Sequence, residues 1–259
     1  MSTLQIFDWP PLLDGFDGVA GIVLHDPDSG AEQAWNPDER FVAASLIKLP
    51  ILWRFYQQCS LGLLDPDETL TVTAEALMPG FGVLKSLQPG LTLRLRDLAA
   101  LMIVVSDNTA TNLLIDRLGI EPINATIREL GLAGTELQRK MYDYRDPAKN
   151  NYTTPRDMVT IYRTIASGTG LEPAFHDEMM QLLLGQQCRN KLPSGLPRDA
   201  RLAHKTGDMP QIEHDAGIFF GDGRRLVVAV LTKEMSRNLD GVALCRRVGE
   251  AAYAYVTAT

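Results

Sequence analysis

The chain reads as an α/β protein of the α+β type. An antiparallel sheet is expected from both chain ends, with flanking helices and an all-helical lobe inserted between them. Three observations predict it. Short apolar runs bounded by turn residues occur near the N-terminus and again after Gly195; the long stretch from Leu64 to about Leu192 has mostly helical spacing; and an amphipathic helical pattern closes the chain. The expected partition is residues 1–45 and 195–259 for the sheet domain and 46–194 for the helical one, with the functional site at their interface.

Residues 19–25 (VAGIVLH) and 31–36 flank Asp26-Pro27-Asp28-Ser29-Gly30, which reads as a β-hairpin. Phe41-Val42-Ala43-Ala44-Ser45 then leads into LIKLPILWRFYQQ, where Leu46, Leu49, Leu52, Trp53 and Tyr56 recur at helical spacing. Pro50 falls in the first turns, where the N–H it lacks would have no partner. Ser45 therefore stands at the start of a helix that is apolar on most sides and largely buried. Residues 92–105 and 109–118 are expected as helices separated by Ser106-Asp107-Asn108. Residues 122–130 and 155–167 are expected as two more, the last capped by Thr154. Between these two lies 134–153, polar and aperiodic, a length of loop that is usually functional or mobile. Residues 201–205, 214–220 and 225–232 read as strands, with Gly221-Asp222-Gly223 as a hairpin turn, and 238–256 as the closing helix.

The 259 residues carry 25 Lys and Arg against 32 Asp and Glu, a net charge of −7. That balance argues against a nucleic-acid binder working by phosphate neutralisation and against a polybasic membrane patch. No apolar stretch approaches the ~20 residues that span a bilayer. The opening MSTLQIFDWPPLL has no Lys or Arg and is interrupted by Asp8 and Pro10-Pro11, so it does not read as a secretory leader. The chain as written reads as cytoplasmic, whereas one trimmed of its leader, periplasmic or secreted, would read the same way. Cys59, Cys188 and Cys245 are expected as reduced, buried thiols, and His25, His176, His204 and His214 have no metal-ligand spacing. Neither a metal nor an organic cofactor is expected; the expected partner is a small-molecule substrate, and the protein is expected to be a monomer.

Three motifs carry chemistry. Ser45-Leu46-Ile47-Lys48 places a hydroxyl and an amine at i and i+3, on one face of a helix. A buried lysine near other cations loses its proton readily and can then accept one from serine. Roughly one Ser-x-x-Lys per chain of this size arises by chance, so the motif alone is weak. Ser106-Asp107-Asn108 lies at a helix–helix junction, where a helix cap explains one of its three residues. Lys205-Thr206-Gly207 is expected to end a strand, and His204 to point to the opposite sheet face. All three motifs in this order, each at an element boundary, are far rarer than any one.

The set Ser-x-x-Lys, Ser-Asp-Asn, Lys-Thr-Gly resembles the signature of class A β-lactamases and penicillin-binding proteins. LTLRLRDLAALMIVVSDNTATNLLIDRLG resembles the class A segment around Ser-Asp-Asn, and Thr153-Thr154-Pro155 the end of that family's Ω-loop. The resemblance implies a β-lactamase/transpeptidase-like fold. It implies Ser45 as acylating nucleophile, Lys48 as its proton partner and Ser106 as proton relay to the leaving nitrogen. Asn108 would bond the substrate amide and Lys48; Lys205 and Thr206 would bind the substrate carboxylate; the N–H groups of Ser45 and Asp208 would form the oxyanion hole. Phe81 stands where the family often has an aromatic at the cleft mouth.

One part of the pattern is missing. Class A enzymes carry Glu-x-x-Leu-Asn on the Ω-loop, whose glutamate activates the deacylating water, and here the loop reads ELQRKMYDYRDPAKNNYTTP. Glu136 comes too early. Asp143 and Asp146 are possible substitutes, although pairing with Arg139, Lys140 or Arg145 explains them at least as well. Acylation followed by slow hydrolysis of a β-lactam is therefore expected. The alternatives are a penicillin-binding peptidase or esterase, and a non-catalytic sensor that captures an acyl ligand.

Overall fold

The computed structural model describes residues 5–258. After a short helix α1 (Trp9–Leu13) come strands β1 (Val19–His25), β2 (Glu32–Trp35) and β3 (Phe41–Val42). A 3₁₀ turn (Ala44–Ile47) runs into α2 (Lys48–Ser60), followed by β4 (Thr69–Thr71), a second 3₁₀ turn (Leu84–Ser86) and β5 (Thr92–Arg94). The helical lobe continues with α3 (Leu95–Val104), α4 (Asn108–Leu118), α5 (Ile120–Glu129), β6 (Tyr152–Thr153), α6 (Pro155–Ser167) and α7 (Pro173–Leu184). Strands β7 (Arg201–Met209), β8 (Ile212–Phe220) and β9 (Arg225–Lys233) and helix α8 (Asn238–Thr257) complete the chain.

Both chain ends build one antiparallel sheet, in the order β2-β1-β9-β8-β7. Alternation along its strands explains why they read as nearly continuous apolar runs: each face is covered. Val227, Ala229 and Leu231 of β9 join the core shared with α2–α6, while Leu226, Val228 and Val230 join Leu244, Cys245, Val248 and Ala252 of α8. At ~25 cal/mol per Å² of apolar burial, that double covering is the main term holding the sheet. Helix α6 lies within the lobe in sequence but packs on β1, β8 and β9.

The helix expected over 92–105 begins later. Thr92–Arg94 pairs with Thr69–Thr71 as a short ribbon before α3 starts at Leu95. The β-branched Thr92 and its cross-strand partner Thr71, whose hydroxyls lie 3.2 Å apart, favour the extended form there. Lys205-Thr206-Gly207 does not end its strand: β7 continues to Met209, paired with β8 throughout. Cys59 and Cys245 are buried free thiols, but Cys188 is only half-buried. No helix among the described residues is long and apolar enough to cross a membrane.

The loop after α5 is closed at its neck. Glu136 and Tyr152 exchange backbone hydrogen bonds at 3.0 and 3.1 Å. Asp157, in the first turn of α6, accepts from Gly134 N and the Thr135 hydroxyl at 2.8 and 2.7 Å. Thr154 caps α6 through Asp157 N at 3.1 Å, with Pro155 at the first helical position. The 136–152 segment is thus an Ω-loop, its ends tied together while its middle lies against the cleft described next.

Candidate active site

Helix α2, the α3–α4 junction and the edge strand β7 converge on one cleft. Ser45 sits half-buried in the 3₁₀ turn that opens α2. The preceding Ala44 has φ 45°, a left-handed conformation that costs a residue with a Cβ ~1–3 kcal/mol and is characteristic of functional sites. Strand β7 passes directly behind this turn: a Cβ on Gly207 would lie 3.3 Å from Ser45 N and 3.2 Å from the Ala44 Cβ. Glycine is what lets the strand edge come this near the serine.

Lys48 has no exposed surface. Its Nζ lies 2.6 Å from the Ser106 carbonyl O, 3.0 Å from the Ser106 Oγ and 3.0 Å from the Asn108 Oδ1. Ser106 also has a left-handed φ, 57°, and presents both its carbonyl and its hydroxyl to Lys48. Lys205, equally buried, donates to the same Ser106 Oγ at 3.0 Å, so one hydroxyl bridges two lysines. Burial first, and then the Lys205 charge, hold Lys48 well below the ordinary lysine range. Burial brings Lys205 down to about 8. A neutral Lys48 can donate to Ser106 O and Asn108 Oδ1 and accept from the Ser106 hydroxyl, while a charged Lys205 donates to that hydroxyl. Among the described residues no hydrogen bond joins Lys48 to the Ser45 hydroxyl; contacts of this kind commonly tighten only when substrate is bound.

The middle residue of Ser106-Asp107-Asn108 is structural. Asp107 Oδ1 caps α4 through Ala110 N at 3.0 Å, and its Oδ2 accepts from Val83 N and Leu84 N at 2.7 and 2.9 Å. It fastens the loop that carries Phe81. Gly82, at φ 112°, fits beneath it because a Cβ would fall 2.3 Å from the Asp107 carboxylate. Phe81 is 46% exposed and stands at the cleft mouth, its carbonyl accepting from Asn108 N at 3.1 Å. Beside Lys205, the buried Thr206 Oγ1 has no partner among the described residues. His204 does point to the other face, its Nδ1 2.8 Å from Asp215 Oδ1.

A narrow cleft of about 70 Å³ lies in front of Ser45, with Asp208 and Asn108 on its walls. From the Ω-loop it is lined by Arg139, Met141, Tyr142, Tyr144, Asn150 and Asn151. None of these is a carboxylate. Asp143 lines neighbouring grooves instead and is paired with Arg145 at 2.6 Å, which holds its carboxyl well below the usual range. Asp146 faces Lys149 at 3.9 Å, a partner the sequence reading did not name, and Glu136 lies at the loop's neck, 3.5 Å from Arg40. At the cleft itself stands Met141. Its backbone is gripped by the Asn112 side chain, which accepts from Met141 N at 2.8 Å and donates to Met141 O at 3.0 Å. Asn112 follows Asn108 by one turn on α4, and that i, i+4 pair was the available signal for this clamp. Lys191, also missed, is fully buried behind β7 and ion-paired to Asp208 at 2.7 Å. It could not be told from a surface lysine in sequence.

A serine at a strained helix start, a desolvated lysine one turn on, and a sheet of both chain ends beside a helical lobe define the class of β-lactamase-like serine hydrolases. The description of the β-lactamase enzyme family matches residues 10–256, and the chain belongs to that family. The β-lactamase of Bacillus licheniformis is 29% identical over 210 residues, 77% of this chain and 66% of that protein. The aligned part thus spans about two thirds of that relative. The β-lactamase of Sphaerobacter thermophilus DSM 20745 superposes with a TM-score of 0.89 at 30% identity, covering 96% of this chain and 98% of that one. PBP-A superposes with a TM-score of 0.87 at 33% identity, covering 97% and 94%. A single-substitution variant of PBP-A, also 33% identical and with a TM-score of 0.86, was solved as an acyl-enzyme complex with penicillin G, covering 95% of this chain and 92% of that one.

Proposed function

We propose that this enzyme forms an acyl-enzyme on Ser45 with β-lactams and releases it slowly, behaving more as a penicillin-binding acyltransferase than as an efficient β-lactamase. The observation that carries this is the asymmetry of the cleft. Its acylation side is complete, with Ser45, Lys48, Ser106 and Asn108 on shared hydrogen bonds or walls, whereas its Ω-loop side presents Met141 and no carboxylate. Lys48, whose charged form burial disfavours, takes the Ser45 proton in its neutral form as the hydroxyl attacks the lactam carbonyl. Ser106 passes a proton to the departing nitrogen, and the N–H groups of Ser45 and Asp208 receive the oxyanion. Donors of that kind typically lower such a barrier by ~3–4 kcal/mol. Asn108 holds the substrate amide. Lys205 and the unpartnered Thr206 hydroxyl receive the carboxylate. Deacylation lacks a base within reach of a water on the Ω-loop side.

Intact-protein mass after mixing with benzylpenicillin tests the reading. The expected result is a one-to-one adduct, lost in Ser45→Ala and persisting for minutes or longer. An unshifted mass without hydrolysed product, or turnover too fast for any adduct to accumulate, would overturn it.

The acylation rate should also follow two protons. It rises with pH as Lys48 loses its proton, at a pH well below the ordinary lysine range. It then falls above about pH 8 as the Lys205 ammonium, needed in its charged form to bind a carboxylate, is neutralised. A rate still climbing at pH 9–10 would show that the Lys205 charge is not needed.

A further inference from the structure

The strand carrying Lys205-Thr206-Gly207 is backed by a charge cluster that the acyl transfer does not use. The Lys191 ammonium lies 2.7 Å from Asp208 Oδ1, 2.7 Å from Glu213 Oε2, 3.0 Å from the Gly207 carbonyl O and 3.2 Å from the His214 carbonyl O. Four acceptors surround three N–H groups, so this lysine has no donor left for a ligand. Two carboxylates around one ammonium leave the cluster with an excess of negative charge.

Asp208 is the member that reaches the cleft. Its side chain is 24% exposed, against 0% for Lys191 and 8% for Glu213. It lines the space in front of Ser45 and is the only carboxylate among the described residues that does. Lys191 engages its Oδ1, and among the described residues no partner is present for its Oδ2. Lys205 and Thr206 precede it by three and two residues on the same strand. A fixed negative charge this near a subsite for an anion opposes binding of a second carboxylate, and the low-dielectric surroundings of the buried lysines weaken solvent screening of that repulsion.

We propose that Asp208 determines specificity on the carboxylate side of the cleft. Its open carboxylate oxygen, held in place by Lys191, disfavours an acyl donor with a carboxylate beside the scissile amide. It favours one that presents an ester or an amide N–H there. This rests on the acyl-transfer reading of Ser45 and ranks its substrates: Lys205 and Thr206 still receive a carboxylate, but Asp208 weakens that attraction, so donors whose leaving side is uncharged or donates a hydrogen bond gain relative to donors with a carboxylate there. Lys205 on the same strand and Arg139 across the cleft, bonded only to neutral oxygens, draw a carboxylate in, and Asp208 is, among the described residues, the one charge lining the cleft that opposes them, so its removal is what the acid-to-ester comparison reads.

Benzylpenicillin and its methyl ester form a matched pair that differs in this charge and in one methyl group. Second-order rate constants for Ser45 acylation by each, read by intact mass at low ionic strength, define an acid-to-ester ratio. In that ratio, effects of a substitution common to both compounds cancel. The ratio is expected to rise on the order of tenfold in Asp208→Asn, and likewise in Asp208→Ser, where no amide is introduced, with the difference shrinking as salt is added. A ratio within twofold of the parent in both variants, with ester adducts still forming, overturns this inference alone. Absence of an adduct with either compound in the parent enzyme overturns the acyl-transfer reading, and this inference with it.

Discussion

Replacing Lys48 with methionine is expected to slow acylation of Ser45 by about 10³–10⁴-fold, the upper range for loss of a general base. The argument is local. Lys48 is fully buried, its charge is disfavoured by desolvation and by Lys205, and its amine is bonded to Ser106 and Asn108. It is a buried amine one turn after Ser45 rather than a surface cation, which is what the proposed role as base requires. Methionine keeps the apolar stem, one atom shorter, but cannot take a proton. Stability should move by only about 1–2 kcal/mol, because two terms oppose each other. Removing a buried amine relieves desolvation, whereas the Ser106 carbonyl and Asn108 Oδ1 each lose a donor. Stopped-flow acylation with a chromogenic cephalosporin, alongside a thermal unfolding curve, separates the two. Acylation retained within tenfold, in a protein that melts normally, would assign the proton to another group.

Met141→Glu should have the opposite kind of effect, shortening the lifetime of the adduct by about 10²–10⁴-fold while acylation changes little. Glutamate matches methionine in length. The Asn112 clamp acts on the backbone of residue 141 and does not depend on its side chain. The new carboxylate would therefore stand in the cleft on the Ω-loop side, where water can approach the ester carbonyl. Burial at that position, where Met141 is 8% exposed, would raise its pKa toward the range of an effective base. Asp143→Ala serves as the contrast: that carboxylate is tied to Arg145 outside the cleft, so the adduct lifetime should not change. An adduct equally long-lived in Met141→Glu would mean that something other than a missing base, such as exclusion of water by Tyr142 and Tyr144, limits release.

Local pattern carried the fold where one physical rule dominated. The apolar runs at 19–25 and 225–232 read as strands and form β1 and β9, and the Thr154-Pro155 start of α6 is a cap that sequence shows directly. The pattern failed at residues 92–94, where a three-residue ribbon depends on Thr69–Thr71 some twenty residues away. It failed again at Lys205, where β7 runs on because β8 pairs with it, whatever its own residues prefer.

The sequence by itself pointed to the family and to the sheet of both chain ends, and it singled out Ser45, Lys48, Ser106, Asn108, Lys205 and Thr206 as candidates, because three short motifs occur together in one order. Tertiary structure alone decided which Ω-loop side chain faces the serine, that Asp143 does not, and that Lys191 grips Asp208 behind the strand. These depend on contacts between segments tens of residues apart. Asn112 holds Met141 in place, and nothing in the residues 134–153 themselves distinguishes a side chain turned inward from one turned to water.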